Sequence, residues 1–409
     1  MHKSLIWLEG LPRFSVLEFN LYRAWLLLNH LVPEYKDFDV YFITGSKGKG
    51  TVASTLAAIL TQAGIDSGLV TSPHLLKLTE RINFNGTDID EETLGAYVAD
   101  IQANLPELTQ EYGAWIFGEV LLAAALMWFR DKGARAVVLE AGLGGRLDAG
   151  NLFRRPLATC ITTVSLEHQG ILGSTVEQIA GEKAGIIKPA TPLVTAATGE
   201  ALTVLRQRAK RLSAPVLVAD KDFAWEKSNG AYTLRLPGKT LSVEAEFDTD
   251  ADIINTAMAA CLAAFHPLVD TKAILQGIKK APRLPGRFHV LPGKPAFVLD
   301  VAHTPEAINN LLSALGRRFP GARIACVAGF LADKRAREML ELMHTASEQV
   351  YFAPVKDERG FSADCLSGGI RAESISAGIS QAMSFADVIC ITGSFAAVRE
   401  AMHFLGLTS

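Results

Sequence analysis

The most specific chemistry in this 409-residue chain lies in Gly45-Ser46-Lys47-Gly48-Lys49-Gly50-Thr51. Glycines let successive backbone N–H groups converge on an anion, and the following helix adds the positive end of its dipole. Lys49 would reach the outer phosphates of a nucleotide, and the Thr51 hydroxyl would help to hold Mg²⁺. The common phosphate-loop order places Ser or Thr directly after the lysine, whereas here Gly50 intervenes. Taken alone, the stretch says nucleotide phosphates and little more; a Gly-rich turn with a solvated lysine is the plainer alternative.

Other candidate groups lie further along. Glu140 opens the run Glu140-Ala141-Gly142-Leu143-Gly144-Gly145-Arg146-Leu147-Asp148. A carboxylate at a strand end facing a phosphate loop is an expected partner for Mg²⁺. Ser165-Leu166-Glu167-His168 and Glu182-Lys183-Ala184-Gly185-Ile186 follow, then Arg287 and Asp300-Val301-Ala302-His303. Each of these has an ordinary reading as a turn, a helix cap or a solvated charge.

The elements that position these groups read as alternating strands and helices. Val40–Ile43 is a short buried strand, and Val52, Leu56, Ala57 and Leu60 follow it at helical spacing, up to Gly64. Leu17, Leu21, Ala24, Leu28 and Leu31 predict a helix before Pro33. Strands are expected at 68–70, 136–139 and 158–164, with a turn at Asn85-Gly86, and helices at 91–104 and 117–131, the second strongly apolar. Such a pattern predicts a doubly wound, mostly parallel α/β sheet. Ligands on these sheets bind beyond the carboxyl ends of the strands. The segments 44–51, 71–74 and 165–168, with Glu140, all fall there. Residues 191–250 carry strands of mixed pattern with a hairpin cue at Ser228-Asn229-Gly230, and a helix is expected at 252–265. Ala281–Arg287 is punctuated by Pro and Gly and reads as a domain joint. Beyond it the alternation restarts, with strands at 296–299, 324–327, 350–352 and 387–391 and helices at 305–316, 335–347 and 371–383. The division expected is 1–285 and 286–409.

Composition narrows the classes. A chain of this length exceeds one ordinary core. Apolar residues make up 49%, which argues against disorder, and a net charge of -3 argues against nucleic-acid binding through a basic surface. Five cysteines, at 160, 261, 326, 365 and 390, form no C-x-x-C pair, which suggests a reducing compartment without structural zinc. The apolar run 24–28 is too short to span a bilayer. A cytoplasmic, monomeric protein with small-molecule substrates, no nucleic acid and no membrane is expected.

Together these segments resemble the Mur ligase superfamily, and within it the folylpolyglutamate synthase/dihydrofolate synthase family. Gly45–Thr51 is similar to that family's G-T-N-G-K-G-[ST] loop. Thr71-Ser72-Pro73-His74-Leu75 with Glu80-Arg81-Ile82 resembles S-P-H-L…E-R-[IV], and Glu140–Asp148 resembles E-V-G-L-G-G-R-L-D. Glu182–Ile186, Pro285-Gly286-Arg287-Phe288, Asp300–His303, Asp333-Lys334 and Gly393-Ser394-Phe395 follow in the family's order. The resemblance implies a P-loop ATPase domain with a smaller Rossmann-like α/β domain after it. It implies an ATP- and Mg²⁺-dependent ligase in which a carboxylate is phosphorylated and the amino group of glutamate attacks the acyl phosphate. It assigns Gly45, Ser46, Lys47, Gly48, Lys49, Gly50, Thr51, Asn255, Arg287, Asp300 and His303 to the nucleotide. Ser72, Glu140 and His168, with Thr51, would hold the metal. Lys183 matches a lysine that the family carbamylates, which would turn a cation into an anion able to hold Mg²⁺. Lys49, His168 and Lys183 are thus the implied catalytic residues. Ser72, Pro73, His74, Phe117, Glu119 and Arg146 are the implied substrate contacts. Two domains closing near residue 285 would keep water from the acyl phosphate.

Departures from the family concentrate on the acceptor side. Gly118 stands between Phe117 and Glu119 where an aromatic is usual, and Glu18 and Asn20 replace Asp and Gly. Leu166-Glu167-His168-Gln169-Gly170 stands for L-D-H-T-D, and Asp148-Ala149-Gly150-Asn151 for D-A-T-N. Ser46-Lys47 replaces Thr-Asn, Thr304 replaces Asn, and Arg335 replaces Asp. The leading expectation is a ligase adding glutamate to dihydropteroate, to folate, or to both. The alternatives are a sibling ligase with a non-folate acceptor and a nucleotide-binding module without turnover.

Overall fold

The computed structural model describes residues 2–13, 21–105, 115–228, 231–245, 247–332, 335–357, 359–361 and 368–407. Leu17, Glu18, Asn20, Asn229, Gly230, Asp333, Lys334 and Cys365 lie outside them. The chain divides into two compact units, Met1–Glu246 with Ala251–Pro282, and Phe247–Asp250 with Arg283–Ser409.

The first unit is built on β1 (Asp39–Thr44), β2 (Ser67–Val70), β3 (Ile82–Phe84), β4 (Thr87–Asp88), β5 (Ala136–Glu140), β6 (Ala158–Ile161), β7 (Leu193–Thr195) and β8 (Val216–Val218). Their order is β4-β3-β2-β5-β1-β6-β7-β8. From β2 to β8 the neighbours pair in parallel; β3 and β4 run antiparallel at one edge. β2, β5 and β6 are buried along their whole length, and β1 is buried after Asp39, as expected of a parallel sheet covered on both faces. Because β2, β5, β1 and β6 are adjacent and parallel, the loops leaving their carboxyl ends emerge side by side.

The helix Phe117–Asp131 covers one face of this sheet. Every residue from Glu119 to Phe129 is buried, and Phe117 joins the same apolar cluster. Each large apolar side chain buried there contributes about 1.5–3 kcal/mol. The helix Lys49–Gln62 follows β1, and Asp250–Ala263 reaches the loop between them. A three-stranded antiparallel sheet, β9 (Ala224–Ser228), β10 (Ala231–Leu236) and β11 (Lys239–Val243), completes the unit. β9 and β10 flank the expected hairpin turn.

The second unit has the strands β12 (His289–Leu291), β13 (Ala296–Leu299), β14 (Ile324–Ala328), β15 (Gln349–Phe352), β16 (Ile370–Arg371) and β17 (Val388–Thr392). Their order is β12-β13-β17-β14-β15-β16, parallel except for β12.

Some boundaries differ from the sequence reading. The helix expected at 371–383 starts at Ile375, because the Ser374 side chain caps it by accepting from Ala377 N–H; residues 370–371 pair as β16 instead. The helix expected from residue 52 starts at Lys49, directly after Gly48. A first helix, Lys3–Gly10, was not signalled by the sequence pattern.

Candidate active site at the strand ends

The phosphate loop is held by the strand next to it. Ser46 N–H donates to the Thr163 carbonyl at 2.7 Å, and the Thr162 hydroxyl donates to the Lys47 carbonyl at 2.6 Å. Ser165 N–H donates to Ser46 Oγ at 3.0 Å. On the other side, the Thr44 hydroxyl donates to the Gly144 carbonyl. Gly48 has φ +84°, and a Cβ there would overlap the Asn255 side-chain amide. Glycine is therefore required at 48 for its backbone and for the space it leaves. The same contact places Asn255, distant in sequence, against the loop. Lys49 Nζ folds back to donate to the Gly45 carbonyl at 3.1 Å, while Gly50 and Thr51 lie in the first turn of the helix, half-buried.

Ser72 and Glu140 are brought together. Ser72 N–H donates to Glu140 Oε2 at 3.0 Å, and Glu140 is itself buried. Pro73 is exposed, and His74 Nδ1 accepts from Arg81 Nε at 2.8 Å. The Glu80 carboxylate accepts from Leu75, Leu76 and Lys77 N–H at 2.7, 2.8 and 2.7 Å, which fixes the loop carrying Ser72 to Leu75.

Lys183 is 1% exposed and donates to Glu167 Oε1 at 2.7 Å. Burial pushes the Lys183 ammonium below the ordinary lysine range; Glu167 opposes this and the nearby Lys49 adds to it. Glu167 shows the converse: burial pushes its acid form up, but Lys183 and Lys49 hold it below the usual carboxylate range. A Ser46 hydroxyl bond to Glu167 acts in the same direction. One carboxylate thus feels both the phosphate-loop lysine and the buried lysine. His168, the next residue, is exposed and has φ +46°.

Around Phe117, Arg13 stacks at 3.6 Å from the ring centroid and Arg81 at 4.9 Å. Burial lowers Arg81 to about 10, with Arg13 lowering it further and Glu140 opposing. Glu119 forms a buried ion pair with Arg23 at 3.2 Å. Arg146 is more than half exposed, and its guanidinium is held by Glu182 at 3.0 Å.

In the second unit, Asp300 shapes the turn around Arg287. Its Oδ2 accepts from Phe288 N–H at 2.7 Å and its Oδ1 from Ala302 N–H at 2.8 Å. Arg287 lies 5.5 Å over the Phe395 ring, and His303 Nδ1 lies 2.8 Å from the Val301 carbonyl.

Sequence reasoning passed over Arg13, Arg81, Glu167 and Asp148 as site residues. Arg81, Asp148 and Glu167 stand inside quoted segments without a role of their own. Arg13 carries no spacing signal at all. Asp148 accepts from Gly142 and Gly150 N–H at 2.8 and 2.9 Å and so shapes the glycine loop after Glu140.

The donor set fits a hard cation in part. Glu140 and the hydroxyls of Ser72 and Thr51 offer oxygens, and Mg²⁺ needs only one or two carboxylates beside phosphate and water. Lys183 as an ammonium does not ligate. Among the described residues, no group of three or more His, Cys, Asp or Glu forms a metal cage.

Residues 43–263 match the family model of the Mur ligase middle domain, and residues 286–404 that of the Mur ligase glutamate ligase domain. The chain is 32% identical over 373 residues to the dihydrofolate synthase/folylpolyglutamate synthase of Bacillus subtilis, covering 85% of this chain and 83% of that protein. It is similar to the bifunctional folylpolyglutamate synthase/dihydrofolate synthase of Yersinia pestis complexed with AMPPNP and Mn ion. That likeness has a TM-score of 0.88 and 30% identity over 98% of this chain and 97% of the other. E. coli FolC in complex with DHPP and ADP gives a TM-score of 0.89 at 28% identity, with 98% and 97% covered. The chain belongs to the folylpolyglutamate synthase/dihydrofolate synthase family of the Mur ligases.

Proposed function

We infer that this protein is an ATP-dependent amide ligase that adds L-glutamate to dihydropteroate, to folate, or to both. One observation carries the reading: the ends of four adjacent strands present a glycine phosphate loop, the Ser72–Glu140 pair and the Glu167–Lys183 pair on one sheet edge. In the reaction, an acceptor carboxylate oxygen attacks the terminal phosphorus of ATP and ADP leaves. The glutamate amine then attacks the acyl carbon, and phosphate departs with the original carboxylate oxygen. Lys49 and the loop N–H groups stabilise the charge on the transferring phosphoryl group.

Mg²⁺ is the metal of this reading and supplies charge neutralisation on the phosphates. Ser72, Glu140 and Thr51 would hold it, with His168 and a carbamylated Lys183. Burial favours the neutral amine that carbamylation requires. Pro73, His74, Phe117, Glu119 and Arg146 are proposed on the acceptor side. Gly45 to Thr51 and Asn255 are proposed for the nucleotide, with Arg287, Asp300 and His303 of the second unit. We keep 1–285 and 286–409 as the proposed domain limits and a cytoplasmic monomer without nucleic-acid partners as the proposed state. Among the described residues no helix is long and apolar enough to cross a membrane.

Oxygen tracing tests the chemistry. With ¹⁸O in the acceptor carboxylate, label should appear in the released phosphate; unlabelled phosphate alongside formed amide would exclude the acyl phosphate. A non-folate acceptor is favoured by one feature: among the described residues a Cβ on Gly118 would meet nothing within 4 Å, which leaves the wall beside Phe117 open to them there.

A further inference from the structure

We propose that Asn151 is a positioning residue: its buried side-chain amide ties the loop after Glu140 to the turn after Lys183, and so sets where those two residues stand relative to each other. The ligase reading gives Glu140 and Lys183 their meaning, and the proposal rests on it for that alone.

Asn151 lies in the short 3-10 turn Ala149–Leu152 and is 8% exposed. Its Nδ2 donates to the Arg146 carbonyl at 2.8 Å and to the Gly185 carbonyl at 3.2 Å. The first acceptor belongs to the loop that begins at Glu140. The second lies two residues beyond Lys183. One amide therefore uses both its hydrogens to join two segments distant in sequence. Its own backbone is anchored twice: Asn151 N–H donates to the Asp148 carbonyl at 2.8 Å, and Lys188 Nζ donates to the Asn151 carbonyl at 2.9 Å.

The two segments meet backbone to backbone. Arg146 N–H donates to the Glu182 carbonyl at 3.0 Å, and a Cβ on Gly185 would overlap Arg146. No side chain fits between them at that point, so their spacing is set by hydrogen bonds. Beside that backbone bond, two side-chain latches span the junction. The Arg146–Glu182 ion pair is largely exposed, with Arg146 at 54%, and pairs of that kind contribute little. The Asn151 amide is buried, and removing it leaves two carbonyls without that donor, a costlier loss. The buried latch therefore dominates.

Among the described residues only the donor half of the amide is engaged: Asn151 Oδ1 is buried and finds no hydrogen-bond partner there. A purely space-filling residue would be replaceable by its isostere. Here Asn151→Asp keeps the shape but turns an oxygen toward two carbonyl oxygens.

The test uses the full chain and measures Mn²⁺ affinity in the presence of ADP by the electron spin resonance of free Mn²⁺. ADP affinity without metal and the thermal midpoint are measured on the same samples. Residues that orient metal ligands typically change metal affinity about 10–100-fold when lost. Asn151→Ala should weaken Mn²⁺ binding within that range, and Asn151→Asp at least as much, with ADP affinity unchanged. A folded Asn151→Ala protein with wild-type Mn²⁺ affinity would overturn the proposal. If neither variant folds, Asn151→Ser decides, since its short hydroxyl can donate to at most one of the two carbonyls that the amide joins. Weaker Mn²⁺ binding is expected there too, and unchanged affinity would overturn the proposal. Wild-type protein that ligates glutamate while Asn151→Ala keeps its Mn²⁺ affinity would sink this proposal alone. Wild-type protein that binds Mn²⁺ with ADP but ligates nothing would sink the ligase reading alone.

Discussion

The phosphate-loop corner and the wall around Phe117 are built in different ways. In the corner, the backbone is what is held: Ser46 N–H bonds the Thr163 carbonyl, the side chains of Thr162, Lys49 and Ser46 hold the Lys47 and Gly45 carbonyls and Ser165 N–H, and Gly48 admits no side chain. At the wall, it is side chains: two guanidiniums stack on one ring, Arg23 pairs with Glu119, and Gly118 is open. Backbone positioning demands particular residue types at fixed spacing. Side-chain positioning on a helix face tolerates exchange. Both regions nonetheless depart from the family pattern, the corner at Ser46-Lys47 and the wall at Gly118.

The largest effect should come from breaking the corner. Lys49→Ala should lower kcat by about 10²–10³-fold or more, since it removes a charged donor from the phosphoryl group. Its thermal midpoint should stay near wild type, because the hydrogen bond of Lys49 lies within its own loop and its attraction for Glu167 is offset by its repulsion of Lys183. Near-wild-type turnover would discard the phosphate-loop assignment.

Breaking the wall should act on stability. Arg23→Ala leaves Glu119 as a buried charge without its partner and should cost about 3–5 kcal/mol in denaturant unfolding. Burial pushes Glu119 above the usual carboxylate range even with Arg23 present, so the variant should recover stability as pH falls and Glu119 is neutralised. A loss below about 1 kcal/mol would mean that the pair is not closed in solution.

Gly118→Phe sharpens the comparison. The added ring enters open space, so stability should change little, while KM for the acceptor shifts several-fold and KM for ATP does not. An equal shift in both would show that the two regions are not separate.

The smallest effect concerns Lys188, whose ammonium burial lowers to about 8, with Arg208 and Arg154 acting the same way. Its folded value lies below its ordinary 10.5, so between about 8 and 10.5 the unfolded chain binds more protons and stability rises with pH. Wild-type protein should therefore gain on Lys188→Met in thermal midpoint as pH rises through that window. A constant difference between the two would contradict the burial of that charge.

Much of the architecture was legible because buried parallel strands are short apolar runs ending in punctuation, as at Val40–Ile43 and 136–139. The four strand ends could be placed on one edge because parallel topology leaves little choice. Glu167 was harder to read. Its contact with Lys183 joins a loop to the end of the helix Val176–Lys183, and no periodicity encodes a meeting of that kind. Arg13 was illegible for the same reason, since only the fold brings it onto Phe117. Helix starts slipped where a single capping serine, Ser374, outweighed the apolar pattern around it.

The most direct measurement of the central claim is ADP release by wild-type protein against a panel of pterins and other carboxylates, with mass spectrometry of the products. The account predicts that sustained ADP release needs both glutamate and a pterin acceptor, with at most about one equivalent per enzyme when glutamate is withheld, and that the product is heavier by one glutamyl residue. ADP release that needs neither, or ATP binding with no turnover on any acceptor, would contradict it.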